Sequence, residues 1–213
     1  MARSRKIGKY LMPKSKTKKK QSENVERSIS QIEINMLAEC GMPTKYREKV
    51  VTFDNFKVGK DNIAAFHHAM NFVYGTGRGI LFYGPSGVGK THLACAIIHK
   101  LICEQRIFAK FQKVARIPRN DQDAILELID PDMVPVLVLD DLGTEKLTDR
   151  ALECLYVIID GRNEMEAPMI VTTNFDLEDL RVRFGEYGDR IVGRLREACR
   201  VVAIGGTDYR EKL

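Results

Sequence analysis

Eight consecutive residues constrain this chain more than any others. Gly84-Pro85-Ser86-Gly87-Val88-Gly89-Lys90-Thr91 fits the pattern G-x-x-x-x-G-K-[ST] in full. The glycines let the backbone wrap tightly enough for its N–H groups to converge on phosphate oxygens. A helix starting at the end of the loop adds the positive end of its dipole. Lys90 then neutralises the β- and γ-phosphates, and the Thr91 hydroxyl is suited to holding Mg2+. In a chain of 213 residues such a match arises by chance with a probability of roughly one in a hundred. Here it lies between a short apolar run, residues 79–83, and alternating small and apolar residues at 91–104. Strand, loop and helix are therefore in the order a phosphate loop needs. The plain alternative is a glycine turn with no ligand, and these flanks argue against it. Residues 84–91, with His92 adjoining, are read as a nucleotide site.

The rest of the chain supplies a sheet for that loop. Apolar, strand-like runs fall at residues 79–83, 106–112, 136–140, 169–172 and 200–204. Helical spacing of apolar residues predicts helices over 24–40, 61–74, 91–104, 122–129, 149–163 and 189–198. Gly41-Met42-Pro43 stops the first of these. Apolar strands alternating with amphipathic helices predict an α/β fold, a parallel five-stranded sheet flanked by helices. At 44% hydrophobic and 30% charged residues the chain has enough apolar material for a real core.

Charge divides the chain unevenly. Residues 1–20 carry nine Lys or Arg and no acid, whereas the remainder holds 25 basic and 29 acidic side chains. A basic, disordered arm and short helix at 1–40, for a partner or DNA, and a mildly acidic catalytic body at 41–213 are the expected domains. A tail that only aids solubility is the alternative for the arm. Apolar runs are too short to span a bilayer, so no membrane role is expected. The N-terminus lacks the apolar stretch of a secretory signal. Five cysteines without a CxxC pair read as reduced, buried thiols of a cytoplasmic protein. The four histidines show no metal-ligand spacing.

Three further groups complete a candidate site. Val136-Leu137-Val138-Leu139-Asp140-Asp141 is an apolar strand ending in two acids, fifty residues beyond Lys90. At the carboxyl end of a parallel strand both carboxylates emerge beside the phosphate loop. Asp140 would join Thr91 at the metal, and Asp141 would hold a water for in-line attack. The next strand ends in Thr172-Thr173-Asn174, where an amide can reach the attacking water or the γ-phosphate. A polar strand end, with Asn174 or Asp176 capping a following helix, is the plainer reading. Near the end, Arg190 and Arg194 are four apart and share a helix face. They suit either a solvated basic face or an arginine reaching into a neighbour's nucleotide.

In order along the chain stand Gly41-Met42-Pro43-Thr44-Lys45-Tyr46-Arg47, Thr52-Phe53-Asp54-Asn55-Phe56, Leu81 to Ala94 around the phosphate loop, Val138 to Gly143, Thr172 to Phe175 and Asp208-Tyr209-Arg210. Together they resemble the DnaC/DnaI helicase loaders and the related IstB transposition ATPases, a branch of the AAA+ P-loop NTPases. The resemblance implies subunits stacked with ATP and Mg2+ between them. It implies Lys90 and Thr91 as Walker A, Asp140 and Asp141 as Walker B, Asn174 as the first sensor and Arg194 as the arginine finger, with Arg190 second. Only nineteen residues follow Arg194, so no C-terminal helical lid is expected. The segment 111–131 is shorter than in relatives, and residues 1–40 lack the zinc-ligand set of DnaI-like proteins.

The function expected from these features is an ATPase, slow alone and stimulated by DNA or a partner. It would load a ring-shaped, DnaB-type replicative helicase onto single-stranded DNA. An IstB-like helper that assembles on duplex DNA and hands target sites to a transposase shares the same core. A nucleotide-binding protein that does not turn ATP over is the third reading, and the full set of Lys90, Asp140, Asp141 and Asn174 argues against it.

Overall fold

In the computed structural model of the protein, residues 30–75, 79–144 and 146–209 are described. The basic segment 1–20, read as a disordered arm, lies outside them. Five strands form one parallel sheet: β1 (Gly79–Tyr83), β2 (Ala109–Lys113), β3 (Val136–Leu142), β4 (Met169–Thr173) and β5 (Cys199–Ala203), in the order β2-β3-β4-β1-β5. Helices α1 (Gln31–Glu39), α2 (Thr44–Glu48), α3 (Ile63–Val73), α4 (Lys90–His99), α5 (Gln122–Ile129), α6 (Asp149–Glu164), α7 (Leu177–Arg183) and α8 (Gly188–Ala198) surround it. Strand β1 leads through α4 to the far edge, and β3 and β4 then fill the gap between. The β1 carboxyl end therefore lies where connections diverge, the place where open α/β sheets bind ligands.

Burial follows from this layering. Residues of β1, β3 and β4 are almost all buried, because helices cover both faces of the sheet, whereas edge strand β2 buries only Ala109 and Phe111. One core joins α1, α3 and α4 to the sheet through Phe82, Val138 and Ile170. The other joins α5, α6 and α8 through Leu81, Leu139 and Val171. Neighbouring residues of a strand thus serve opposite cores, as a pleat requires. Caps fix the helix starts: Ser30 and Glu33 form a reciprocal capping box on α1, and Asp121, Thr148 and Asp176 cap α5, α6 and α7.

Three departures from the pattern-based reading have physical causes. Residues 24–29 of the helix predicted over 24–40 lie outside the described residues, and Ile32, an apolar residue that the helical spacing would bury, is 70% exposed because no described element covers that side of α1. Leu37 is the residue of α1 that enters the core. The strand predicted at 106–112 begins at Ala109, because Arg106 adopts a left-handed backbone (φ +60°) and turns the chain. The helix after the phosphate loop ends in a wider turn, Lys100–Glu104, closed by the Gln105 N–H on the Lys100 carbonyl at 3.2 Å. The short α2 and α7 have too few apolar positions to show a period.

The turn after α1 also meets the sheet. The Phe111 N–H on edge strand β2 donates to the Cys40 carbonyl at 2.7 Å. Gly41 (φ +85°) lies so close that a Cβ there would fall 2.7 Å from the Phe111 oxygen, so glycine is required. On the other face Arg162 of α6 is fully buried. Its guanidinium donates to the carbonyls of Leu128 (2.8 Å), Val134 (3.0 Å), Pro135 (3.3 Å) and Pro168 (3.0 Å). Burial pulls its pKa down to about 10, so it stays charged at neutral pH. All five cysteines are buried thiols. No helix among the described residues is long and apolar enough to cross a membrane. Among them, too, no helical domain follows β5.

Candidate nucleotide site

The phosphate loop runs from the end of β1 into the first turn of α4. Gly84 (φ +147°) passes so close to β5 that a Cβ would meet the Ile204 oxygen at 2.0 Å. Gly89 (φ +103°) is the left-handed residue before α4, and a Cβ there would meet the Phe56 ring at 2.8 Å. Any side chain at either position would push the loop out of shape. Lys90 is buried, with its Nζ donating to the Gly84 carbonyl at 2.7 Å and the Pro85 carbonyl at 2.5 Å. Its ammonium is thus held inside the curl of the loop.

Next to the loop, a hydrogen-bonded chain joins three elements. Thr91 Oγ1 on α4 donates to Asp140 Oδ1 at 2.8 Å. Thr172 Oγ1 on β4 donates to the same oxygen at 2.8 Å and accepts from the Asp141 N–H at 3.0 Å. Asp140 is 1% exposed. Burial and the neighbouring Asp141 carboxylate raise its pKa, against the lowering effect of the two hydroxyls. A buried carboxylate in this position favours a nearby positive charge. Thr91 and Asp140 offer an oxygen pair suited to a hard divalent cation such as Mg2+.

Asp141 differs from its neighbour. Its backbone is left-handed (φ +62°), where β3 shifts register against β4 between Leu139 and Leu142. That kink turns the side chain outward, and it is 44% exposed with Lys113 Nζ 3.2 Å from its Oδ2. A non-glycine residue held in this conformation stores of order 1–3 kcal/mol of strain, commonly at functional positions.

Asn174 follows β4 directly, one strand away from the acids. Thr173 steadies it: its hydroxyl donates to the Leu142 carbonyl at 2.8 Å and accepts from the Phe175 N–H at 3.1 Å. The Asn174 side chain is half-buried and makes no hydrogen bond among the described residues. The capping role falls to Asp176. His92 is half-buried, its Nε2 3.2 Å from the Thr52 carbonyl and its ring edge-on to Phe56. It connects the 52–56 segment to the loop, and burial lowers its pKa. Asp141, Asn174 and the loop thus gather at one end of the sheet. Arg194 lies apart on α8, its Nε 2.5 Å from Asp160 and its Nη1 2.8 Å from Glu197. Arg190 is exposed.

Three contributors, Tyr46, Asp208 and Tyr209, carried no role in the sequence reading, although their motifs were visible. Tyr46 on α2 is hydrogen-bonded to Thr91, and burial pushes its pKa up to about 12, so its phenol stays protonated. From the other side, the Tyr209 N–H donates to the Gly87 carbonyl at 3.2 Å. The Asp208 carboxylate fills the space where a Gly87 side chain would stand. Arg210 lies outside the described residues.

Comparison with known proteins gives a consistent picture. Residues 62–213 match the IstB-like ATP binding protein profile. Among curated relatives, the replicative helicase loader DnaI of Bacillus subtilis is 30% identical over 157 residues, covering 66% of this chain and 50% of its own. An insertion sequence IS5376 protein of Geobacillus stearothermophilus, described as ATP-binding, is 35% identical over 122 residues, covering 54% and 44%. The chain therefore spans about half the length of these relatives. Among solved structures, the DnaC helicase loader superposes with a TM-score of 0.65 at 24% identity, over 76% of this chain and all of its own.

Proposed function

The chain belongs to the IstB-like ATP-binding protein family, and on that premise we propose that it is a Mg2+-dependent ATPase that acts as an assembly switch in loading a ring helicase onto single-stranded DNA. The observation that carries the ATPase reading is the chain from Thr91 through Asp140 and Thr172 to the Asp141 N–H. It links the helix that binds phosphate to the strand end that would act on water.

Each residue has a distinct task in that reading. The backbone N–H groups of Ser86 to Thr91 and the Lys90 ammonium bind the β- and γ-phosphates. Thr91 and Asp140 would hold Mg2+, which when bound would supply neutralising charge to the phosphate oxygens. Asp141, part-exposed, exchanges its Lys113 partner for a water, orients that water for in-line attack and takes up its proton. Asn174 aligns the water or the γ-phosphate from β4. Arg194 of one subunit completes the neighbour's site, which requires it to exchange Asp160 and Glu197 for phosphate oxygens. Turnover is then slow until subunits stack, on DNA or a partner.

The helicase-loading reading is supported by the named role of the Bacillus relative and by the fold shared with the DnaC loader. Similarity to an insertion-sequence protein supports a second reading, delivery of target sites to a transposase on duplex DNA. Size-exclusion chromatography with the host's replicative helicase hexamer and Mg2+-ATP separates the two. Co-elution is expected for the loader. Separate elution, together with ATP-dependent assembly on duplex DNA, would replace it with the transposition reading.

A further inference from the structure

The two loops that approach the proposed water, the one after β3 and the one after β4, are joined by a residue that belongs to neither. Arg183, the last residue of α7, donates from Nε to the Gly143 carbonyl at 2.8 Å, two residues beyond Asp141. The same guanidinium lies over the Phe175 ring at 4.1 Å, one residue beyond Asn174. Packing reinforces the tie, because a Cβ on Gly143 (φ +76°) would meet Leu180 at 2.6 Å and Phe175 at 3.4 Å. Glycine is therefore needed for the loop after β3 to press against α7 and Phe175.

We infer that Arg183 is a positioning residue for hydrolysis, holding Asn174 in register with Asp141; the inference rests on the ATPase reading above. A charged donor gives its hydrogen bond more weight than a neutral one. The ring contact adds a preference for guanidinium lying flat on an aromatic face. The ends of β3 and β4 are already paired through Thr173 and Leu142, so the strands stay registered without Arg183. What Arg183 adds is the relation between the two residues past those strands. It touches neither acid nor phosphate loop, so it acts on the chemical step and not on nucleotide affinity.

The test is a double-mutant cycle in the full chain under assembled, stimulated conditions. Arg183→Ala is expected to lower kcat about tenfold, as misplacement of catalytic groups does, with the ATP dissociation constant within about twofold of wild type. In an Asn174→Ala background the same change should cost less than about twofold, because the group it positions is gone. Arg183→Lys keeps the cation without the fixed Nε direction and should fall between. Unchanged kcat, or a full loss repeated in the Asn174→Ala background, would overturn the inference. A wild-type chain that binds ATP but never hydrolyses it would instead remove the ATPase reading. The inference is then decided by the Asn174 side-chain resonances in 15N-asparagine-labelled protein. They shift and broaden in Arg183→Ala if the tie holds the amide, and stay in place if it does not.

Discussion

The phosphate loop and helix α8 each carry a positive charge with a part in the proposed reaction, and they hold them in opposite ways. Lys90 is buried within its own loop and bonded to two of its carbonyls. Arg194 stands on α8 beside α6, part-exposed and paired with carboxylates of the same chain, Asp160 of α6 and Glu197 of α8. In the proposed reading, the group that binds nucleotide is built in, while the group that would stabilise the transition state is held in ion pairs it must exchange. The difference assigns, in that reading, binding to the single chain and fast turnover to a pair of chains.

The strongest way to break that comparison is at the loop. Lys90→Ala should weaken ATP binding by at least about a hundredfold, since it removes charge-assisted bonds to two phosphates; titration with a fluorescent ATP analogue measures it. Retained affinity would show that the buried cation is not the anchor. Asp141→Asn should leave that affinity intact and cut steady-state turnover by about a hundredfold or more. An unchanged rate would remove Asp141 from the chemistry.

Arg194→Ala sharpens the comparison, because its deficit should be repaired by another subunit. Neither Arg194→Ala nor Lys90→Ala should hydrolyse ATP well alone. Mixed, they should recover up to about a quarter of the wild-type rate, the share of interfaces pairing an intact loop with an intact finger in a random mixture. If mixing restores nothing, the arginine does not act across an interface, and Arg190 is the next residue to exchange.

The smallest effect concerns pH. Asp140 has a raised pKa, from burial first and Asp141 second. A cation binds its ionised form, so apparent Mg2+ affinity should decline as pH falls through that raised pKa, above the ordinary carboxylate range. Asp141→Asn removes the neighbouring charge and should move the decline to lower pH. Isothermal titration of Mg2+ into the ATP complex across pH 4–8 reads the shift, and identical profiles would rule out coupling between the acids.

Much of this architecture was legible in the residues because local pattern and tertiary role coincide. The run Gly79–Tyr83 is a strand with the bounds its apolar residues mark, and Gln122–Ile129 is a helix with the bounds its spacing marks. The phosphate loop was legible for a different reason: its glycines answer to backbone geometry that few other uses require. What stayed hidden depends on contacts distant in sequence. Nothing near Tyr46 indicates that its hydroxyl reaches Thr91. Arg183 resembles any basic residue at a helix end until α7 is folded against Gly143 and Phe175. Ile32 misled in the opposite direction, since helical spacing says which residues share a face but not whether the face is covered.

The contact between Cys40 and Phe111 has a consequence for how copies of this chain can join. Along an edge strand the outward N–H and C=O groups recur at every second residue, and on β2 the central pair belongs to Phe111. One member is already bonded and the other is shielded by Gly41. A five-residue ribbon obstructed at its midpoint is a poor template for continuing the sheet into another molecule. The β2 edge is thus closed to sheet continuation of the amyloid kind, at the cost of one backbone hydrogen bond and one glycine.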